Sequence, residues 1–152
     1  MEQQIKVRAL IVDNDAILLV AHRNSRTGAI WWSPPGGTME GAESIFACAI
    51  REVREEMGLS ITPADVAYVR EYIDHSAGQH NLELYITVSA FSGTLGQLLG
   101  EQDENLIVDL RFCSQELIQS LSVFPTELQD LFWDDQHAGS ARMRYLGCFS
   151  RA

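Results

Sequence analysis

Three glutamates, Glu52, Glu55 and Glu56, fall within five consecutive positions, with Arg51 immediately before them and Arg54 among them. Separations of three and four residues are neighbours on a helix, where each residue advances about 100°, so the three carboxylates gather within an arc of roughly 100°. The gathering is locally unfavourable. Like charges at i and i+4 cost ~0.2–0.5 kcal/mol, and anions near a helix C-terminus oppose the macrodipole by ~0.3–1 kcal/mol each. Arg51 and Arg54 offset part of this. A sequence that keeps such a conflict usually has a use for it, and a divalent cation is the simplest use. Carboxylate oxygens are hard ligands suited to Mg²⁺ or Mn²⁺, ions that retain waters and share their coordination with substrate phosphates. For an acidic helix taken alone, a solvated face with arginine partners is the competing reading.

The helix itself is well delimited. Ser44 is an N-cap, Gly58 is a natural C′ residue, and Ile45, Phe46, Ala49, Ile50, Val53 and Met57 make an apolar face about 140° wide. The glutamate arc adjoins one edge of that face, a partly sheltered border. Before the helix, residues 5–12 and 16–21 are strand-like and are joined by Asp13-Asn14-Asp15, a hairpin signal. Residues 24–31 read as a loop, and Trp31 to Gly37 compress aromatic, proline and glycine residues into seven positions. Gly36 and Gly37 permit a backbone carbonyl to approach a cation. After the helix, residues 66–73 and 82–91 read as a second hairpin, 92–105 as a glycine-rich and then acidic loop, and 106–112 as a strand. Helical segments are expected over 114–121 and 126–135, on either side of Pro125, and the tail after His137 is weakly patterned. The sum is an α/β or α+β sandwich, with helices packed on a curved mixed sheet.

Composition narrows the function. With 152 residues, 46% of them apolar, residues 1–152 fit one domain with a single substantial core. A formal charge of −10 repels a polyphosphate backbone and argues against nucleic-acid polymers as partners. A phosphate-bearing substrate would need local positive charge, from arginines or a metal. Cys48, Cys113 and Cys148 show no paired ligand spacing, and an odd count argues against a disulfide framework. With neither a signal-like segment nor a run approaching about 20 apolar residues, a cytoplasmic protein without membrane attachment is expected.

Reading outward from the helix gives Gly37, five residues, Glu43, seven residues, then Arg51-Glu52-Val53-Arg54-Glu55-Glu56-Met57-Gly58-Leu59. This resembles the Nudix box at every defining position, nine residue types at set spacing over 23 positions, and Trp32-Ser33-Pro34-Pro35-Gly36-Gly37 is similar to the lead-in common in that family. The resemblance is to MutT-like and ADP-ribose pyrophosphatase-like members. It implies an α/β/α sandwich with a curved mixed sheet between helices, and pyrophosphohydrolase activity with Mg²⁺, or Mn²⁺ as the alternative ion. It also implies that Glu52, Glu55 and Glu56 hold the metal with help from the Gly36 carbonyl, that Arg51 orients the glutamates, and that Glu43 anchors Arg51 or starts the helix. The general base is either one of the box glutamates or an acid of the loop Glu101-Gln102-Asp103-Glu104, with Glu104 preferred. Members are often dimers, so a homodimer is an expectation of the resemblance alone.

Other residues are weighed against ordinary roles. Arg23 could reach a phosphate or be a surface arginine, and one of Trp31 and Trp32 could stack on a base, although packing is expected for at least one indole; Arg23, Trp32 and Gly37 are the substrate-binding candidates. Tyr72, His75 and His80 bracket a hairpin that could overhang the site, Phe124 and Trp133 read as core, and Arg142, Arg144 and Tyr145 could touch substrate or a second subunit. The expected substrate is a small nucleoside diphosphate linked to another moiety, such as ADP-ribose or a nucleotide sugar. Two alternatives stay open: a housecleaning triphosphatase acting on oxidised nucleotides, and a sensor that reads a nucleotide without cleaving it.

Overall fold

Asn14 and Asp15 both take left-handed backbone angles, φ 49° and 57°, which two-residue hairpin turns require and which Asn and Asp tolerate best. The turn joins β2 (Val12–Asp13) to β3 (Ala16–Asn24), pairing Val12 with Ile17 and Asp13 with Ala16. The expected first hairpin is therefore real at its tip but short. Preceding residues form β1 (Glu2–Leu10), which leaves β3 to join another sheet. The computed structural model describes residues 1–96, 101–102, 105–139 and 142–151.

The Trp-Pro-Gly stretch is more regular than its composition suggests. β4 (Ile30–Ser33) pairs with β3, and β5 (Gly36–Thr38) pairs antiparallel with β1, the two strands being separated by Pro34 and Pro35. Prolines cannot donate to a ladder, and here they release the chain from one sheet to the other. After α1 (Ile45–Met57), β6 (Ser60–Asp74) and β7 (Gln79–Ser92) form a long hairpin, each extending beyond the expected strand. β8 (Glu101–Gln102) and β9 (Asn105–Ser114) complete the second sheet, and α2 (Gln115–Ile118), a 3₁₀ turn (Thr126–Gln129) and α3 (Leu131–Ala138) follow. The unpatterned tail is a strand, β10 (Arg144–Arg151), parallel to β6. As a largely exposed edge strand it lacks the alternation that burial of one face would impose.

One sheet has the order β10-β6-β7-β1-β5 and mixes parallel with antiparallel pairs, and the other runs β2-β3-β9-β8 with β4 also on β3. Alternation along β1 and β3 sends residues to opposite faces. Val7, Ala9 and Ile11 with Leu18 and Val20 pack beneath α1, whereas Leu10 with Ile17, Leu19 and Ala21 pack against Leu128, Phe132 and Trp133. Each sheet thus feeds both cores, and together they form the middle layer of an α+β sandwich with helices on either side. Among the described residues no helix is long and apolar enough to cross a membrane.

Candidate metal centre

Helix α1 begins where Ser44 caps it, its hydroxyl accepting from the Ala47 amide at 3.1 Å, and ends at Gly58, φ 75°, whose amide donates to the Arg54 carbonyl. The cap contributes about 1 kcal/mol. The buried stripe is Cys48, Ala49, Glu52, Val53, Glu56 and Met57, while Phe46 is exposed. Relative to the expected apolar face, the helix is rolled so that Glu52 and Glu56 move from its border into its buried side. Glu55 stays exposed.

Arg51 holds this group together. Its Nε and Nη2 donate to both oxygens of Glu43 at 2.9 and 2.7 Å, Nη2 also donates to the Thr38 carbonyl at 3.3 Å, and Nη1 donates to Glu52 Oε1 at 2.9 Å and Glu55 Oε2 at 3.4 Å. A bidentate fork fixes the guanidinium plane, and with it the two carboxylates on Nη1. The Arg51 hydrogen bonds and the Glu40 amide hold the Glu43 carboxyl down at about 2. Glu43 therefore anchors the arginine, and its bond to the Glu40 amide braces the turn before α1.

Glu56 has the opposite environment. Burial pushes its carboxyl up to about 8, and the neighbouring Glu52 adds to the rise, while Arg8 and a backbone hydrogen bond from Gly36 pull against it. Its Oε1 is buried with no hydrogen-bond partner. A buried carboxylate oxygen without a donor is costly unless a cation meets it. The glycines enclose the same place. A Cβ on Gly37 would lie 2.4–2.6 Å from the Glu52 carboxylate atoms, and one on Gly36 would lie 1.9 Å from the Val7 carbonyl oxygen. Only glycine lets β5 pass so close to both. Two buried acids, a third at the rim, an orphaned oxygen and a glycine backbone against them form a hard-oxygen donor set that fits a small divalent cation.

Of the residues singled out from sequence, the structure brings together Gly36, Gly37, Glu43, Arg51, Glu52, Glu55 and Glu56. Arg23 is exposed near the end of β3 and touches none of these carboxylates. Trp32, expected to face substrate, is instead a core side chain 9% exposed, its backbone bonded to Ser122 and Phe124. Trp31 is the half-exposed indole, stacked on His22 at 4.1 Å. β4 alternates, so only one of two adjacent indoles can face the core. Trp133 is core as expected, but Phe124 is 41% exposed. His80 and Tyr145 pair with Glu71, and Arg144 pairs with Asp135. Glu104 lies outside the described residues.

Sequence reading passed over Arg8 and His22. Arg8 donates to the Pro34 carbonyl at 3.2 Å and supplies positive charge beside Glu56. The alternation of Lys6 and Arg8 with Val7 and Ala9 along a strand was the available signal. His22 is buried, hydrogen-bonded to Ser33 Oγ at 3.1 Å, and held down at about 4 by burial and by Arg8.

A model of the NUDIX domain matches residues 2–131. An uncharacterized Nudix hydrolase of Bacillus subtilis (strain 168), YvcI, is 29% identical over 127 residues, 81% of this chain and 73% of that protein. Nucleoside diphosphate-linked moiety X motif 6 of Xenopus laevis is 33% identical over 85 residues, which is 55% of this chain and only 38% of that longer protein. The solution structure of the E. coli ORF135 protein superposes with a TM-score of 0.71 at 27% identity, covering 93% of this chain and 96% of that one.

Proposed function

The chain belongs to the Nudix hydrolase family, whose members act on phosphoanhydride bonds and generally use divalent metal ions, and from that premise we propose that it is a Mg²⁺-dependent pyrophosphohydrolase cleaving the diphosphate of a nucleoside diphosphate linked to another moiety. The observation that carries this reading is the buried Glu52–Glu56 pair with its orphaned Glu56 Oε1, clamped by Arg51 and backed by Gly37. The name of the Xenopus relative, nucleoside diphosphate-linked moiety X motif 6, supports the substrate class.

Glu52, Glu55 and Glu56, with the Gly36 carbonyl, would hold the ion, which when bound neutralises phosphate charge and lowers the pKa of coordinated water. Arg51 keeps the Glu52 and Glu55 carboxylates oriented before substrate arrives, so little reorganisation is needed during reaction. Arg8 places a positive charge on the Glu56 side of the centre, where an incoming pyrophosphate would otherwise meet only acids. Water attacks phosphorus, its proton passing to a carboxylate, and the P–O bond to the leaving phosphate breaks. That carboxylate is Glu104 or one of the α1 glutamates. Glu104→Gln is expected to slow turnover at saturating metal, and a wild-type rate in that variant would remove Glu104 from consideration.

The deciding experiment is a screen of nucleoside di- and triphosphate derivatives with Mg²⁺ and with Mn²⁺, products identified by mass and the attacked phosphorus located with ¹⁸O-water. Preferential cleavage of diphosphate-linked compounds supports the proposal. Preference for triphosphates would replace the substrate class, and no turnover of any compound would point to a nucleotide sensor.

A further inference from the structure

On a different part of the molecule, three side chains of unlike chemistry converge: Glu71 of β6, His80 of β7 and Cys148 of β10. One carboxylate oxygen, one imidazole nitrogen and the thiol sulfur lie within 4.8 Å of one another. His80 Nε2 is 2.7 Å from Glu71 Oε2, and the Tyr145 hydroxyl donates to Glu71 Oε1 at 2.7 Å. Cys148 stands directly opposite Glu71 in the β10–β6 register. A bulge between Tyr145 and Gly147 brings both Tyr145 and Cys148 to the face that carries Glu71. The opposite face of these strands carries Arg70, packed on Tyr72 and Phe149 and paired with Glu83, so the sheet separates the trio from that guanidinium.

We propose that Glu71, His80 and Cys148 form a second metal site, selective for a borderline-soft divalent cation of the Zn²⁺ class and distinct from the all-oxygen centre on α1. Thiolate, imidazole and carboxylate together favour zinc or a neighbouring late transition metal, and a magnesium ion has no use for the first two. A tetrahedral zinc ion with bonds of about 2.0–2.3 Å sets its ligand atoms roughly 3.3–3.8 Å apart. The three groups therefore need shifts of only about an ångström. Cys148 is exposed and Glu71 and His80 are half-buried, so an ion can enter from solvent and keep water in the fourth position. On binding, the thiol proton leaves to solvent as the metal–sulfur bond forms, and the His80–Glu71 hydrogen bond breaks so that Nε2 faces the metal with the ring proton carried on Nδ1. The ion would fasten β10, which among the described strands pairs with β6 alone, to the β6–β7 hairpin.

The test uses the untagged, metal-stripped 152-residue chain in excess Mg²⁺, the ion proposed for the carboxylate centre. One equivalent of Co²⁺ is expected to produce a thiolate-to-cobalt charge-transfer band that Zn²⁺ bleaches. Zn²⁺ at about a hundredfold excess over its Kd should raise the melting temperature by roughly 5–10 °C. Cys148→Ser and His80→Ala should each lose the band and the thermal response, while Glu56→Gln should keep both. The buried Cys48 and Cys113, whose thiols burial pushes up to about 12 and 11, are unsuited to supply the thiolate. Absence of a band in the wild type, or the same band and thermal response in Cys148→Ser, would overturn the proposal. If Cys148→Ser does not fold, His80→Ala decides by the same two readings.

Discussion

Glu52 and Glu56 share a helix face and a sequence pattern, yet their surroundings differ in what they demand. Glu52 receives a short hydrogen bond from Arg51, whereas Glu56 keeps one oxygen buried without a donor. Replacing either carboxylate by its amide should lower turnover by two or more orders of magnitude. The amides should have different effects on stability. Glu56→Gln substitutes a neutral amide for a carboxyl whose ionisation burial already opposes, so the metal-free protein should melt at or above the wild-type temperature. Glu52→Gln forfeits a charge-assisted bond and should melt slightly lower. Steady-state rates with Mg²⁺ and melting curves in chelator check both, and unimpaired hydrolysis in the two variants would end the metal-centre reading.

The relation between β5 and α1 explains why adjacent glycines are not equivalent. Gly36 faces the backbone of β1, where a methyl group would sit 1.9 Å from the Val7 carbonyl oxygen, and a paired strand cannot yield. Gly36→Ala should therefore destabilise the protein by several kcal/mol. Gly37 faces the end of a side chain, the Glu52 carboxylate, which can swing away. Gly37→Ala should cost only about 1 kcal/mol of stability while lowering turnover at least as much as Glu52→Gln does, because the displaced carboxylate leaves the centre. Denaturant midpoints beside kinetic constants for the two alanines separate these outcomes. Equal losses of stability would contradict the assignment of Gly37 to the site.

Across the whole molecule, buried polar groups tie stability to pH. His22, on β3 opposite Trp31 of β4 and stacked on it, has its folded pKa held at about 4, below the ordinary 6.5. Between those values the unfolded chain binds a proton that the folded chain refuses, so this contribution weakens as pH falls from about 6.5 to 4 and is constant below. It should amount to a few kcal/mol at most. His22→Gln can still bond Ser33 and removes the titration, so unfolding midpoints from pH 7.5 to 4 should fall less steeply in the variant. Identical slopes would show that other groups carry the acid sensitivity.

The sequence by itself determined α1, its caps and the register of its acids, because Ser44, the 3.6-residue period and Gly58 act within a few turns of chain. It determined the β6–β7 hairpin and the placing of three acids on one helix for the same reason: local spacing suffices. Partnership between distant strands was not legible. That β1 leaves β3 to lie beside β7 and β5, that an unpatterned tail becomes an edge strand, and that Trp32 goes inward while Trp31 stacks on His22 depend on which surfaces meet. Only tertiary structure could roll α1 so that Glu52 and Glu56 turn inward and set Arg8 and two bare glycines against them. Burial and long-range electrostatics belong to the packed chain, and no local window of sequence contains them.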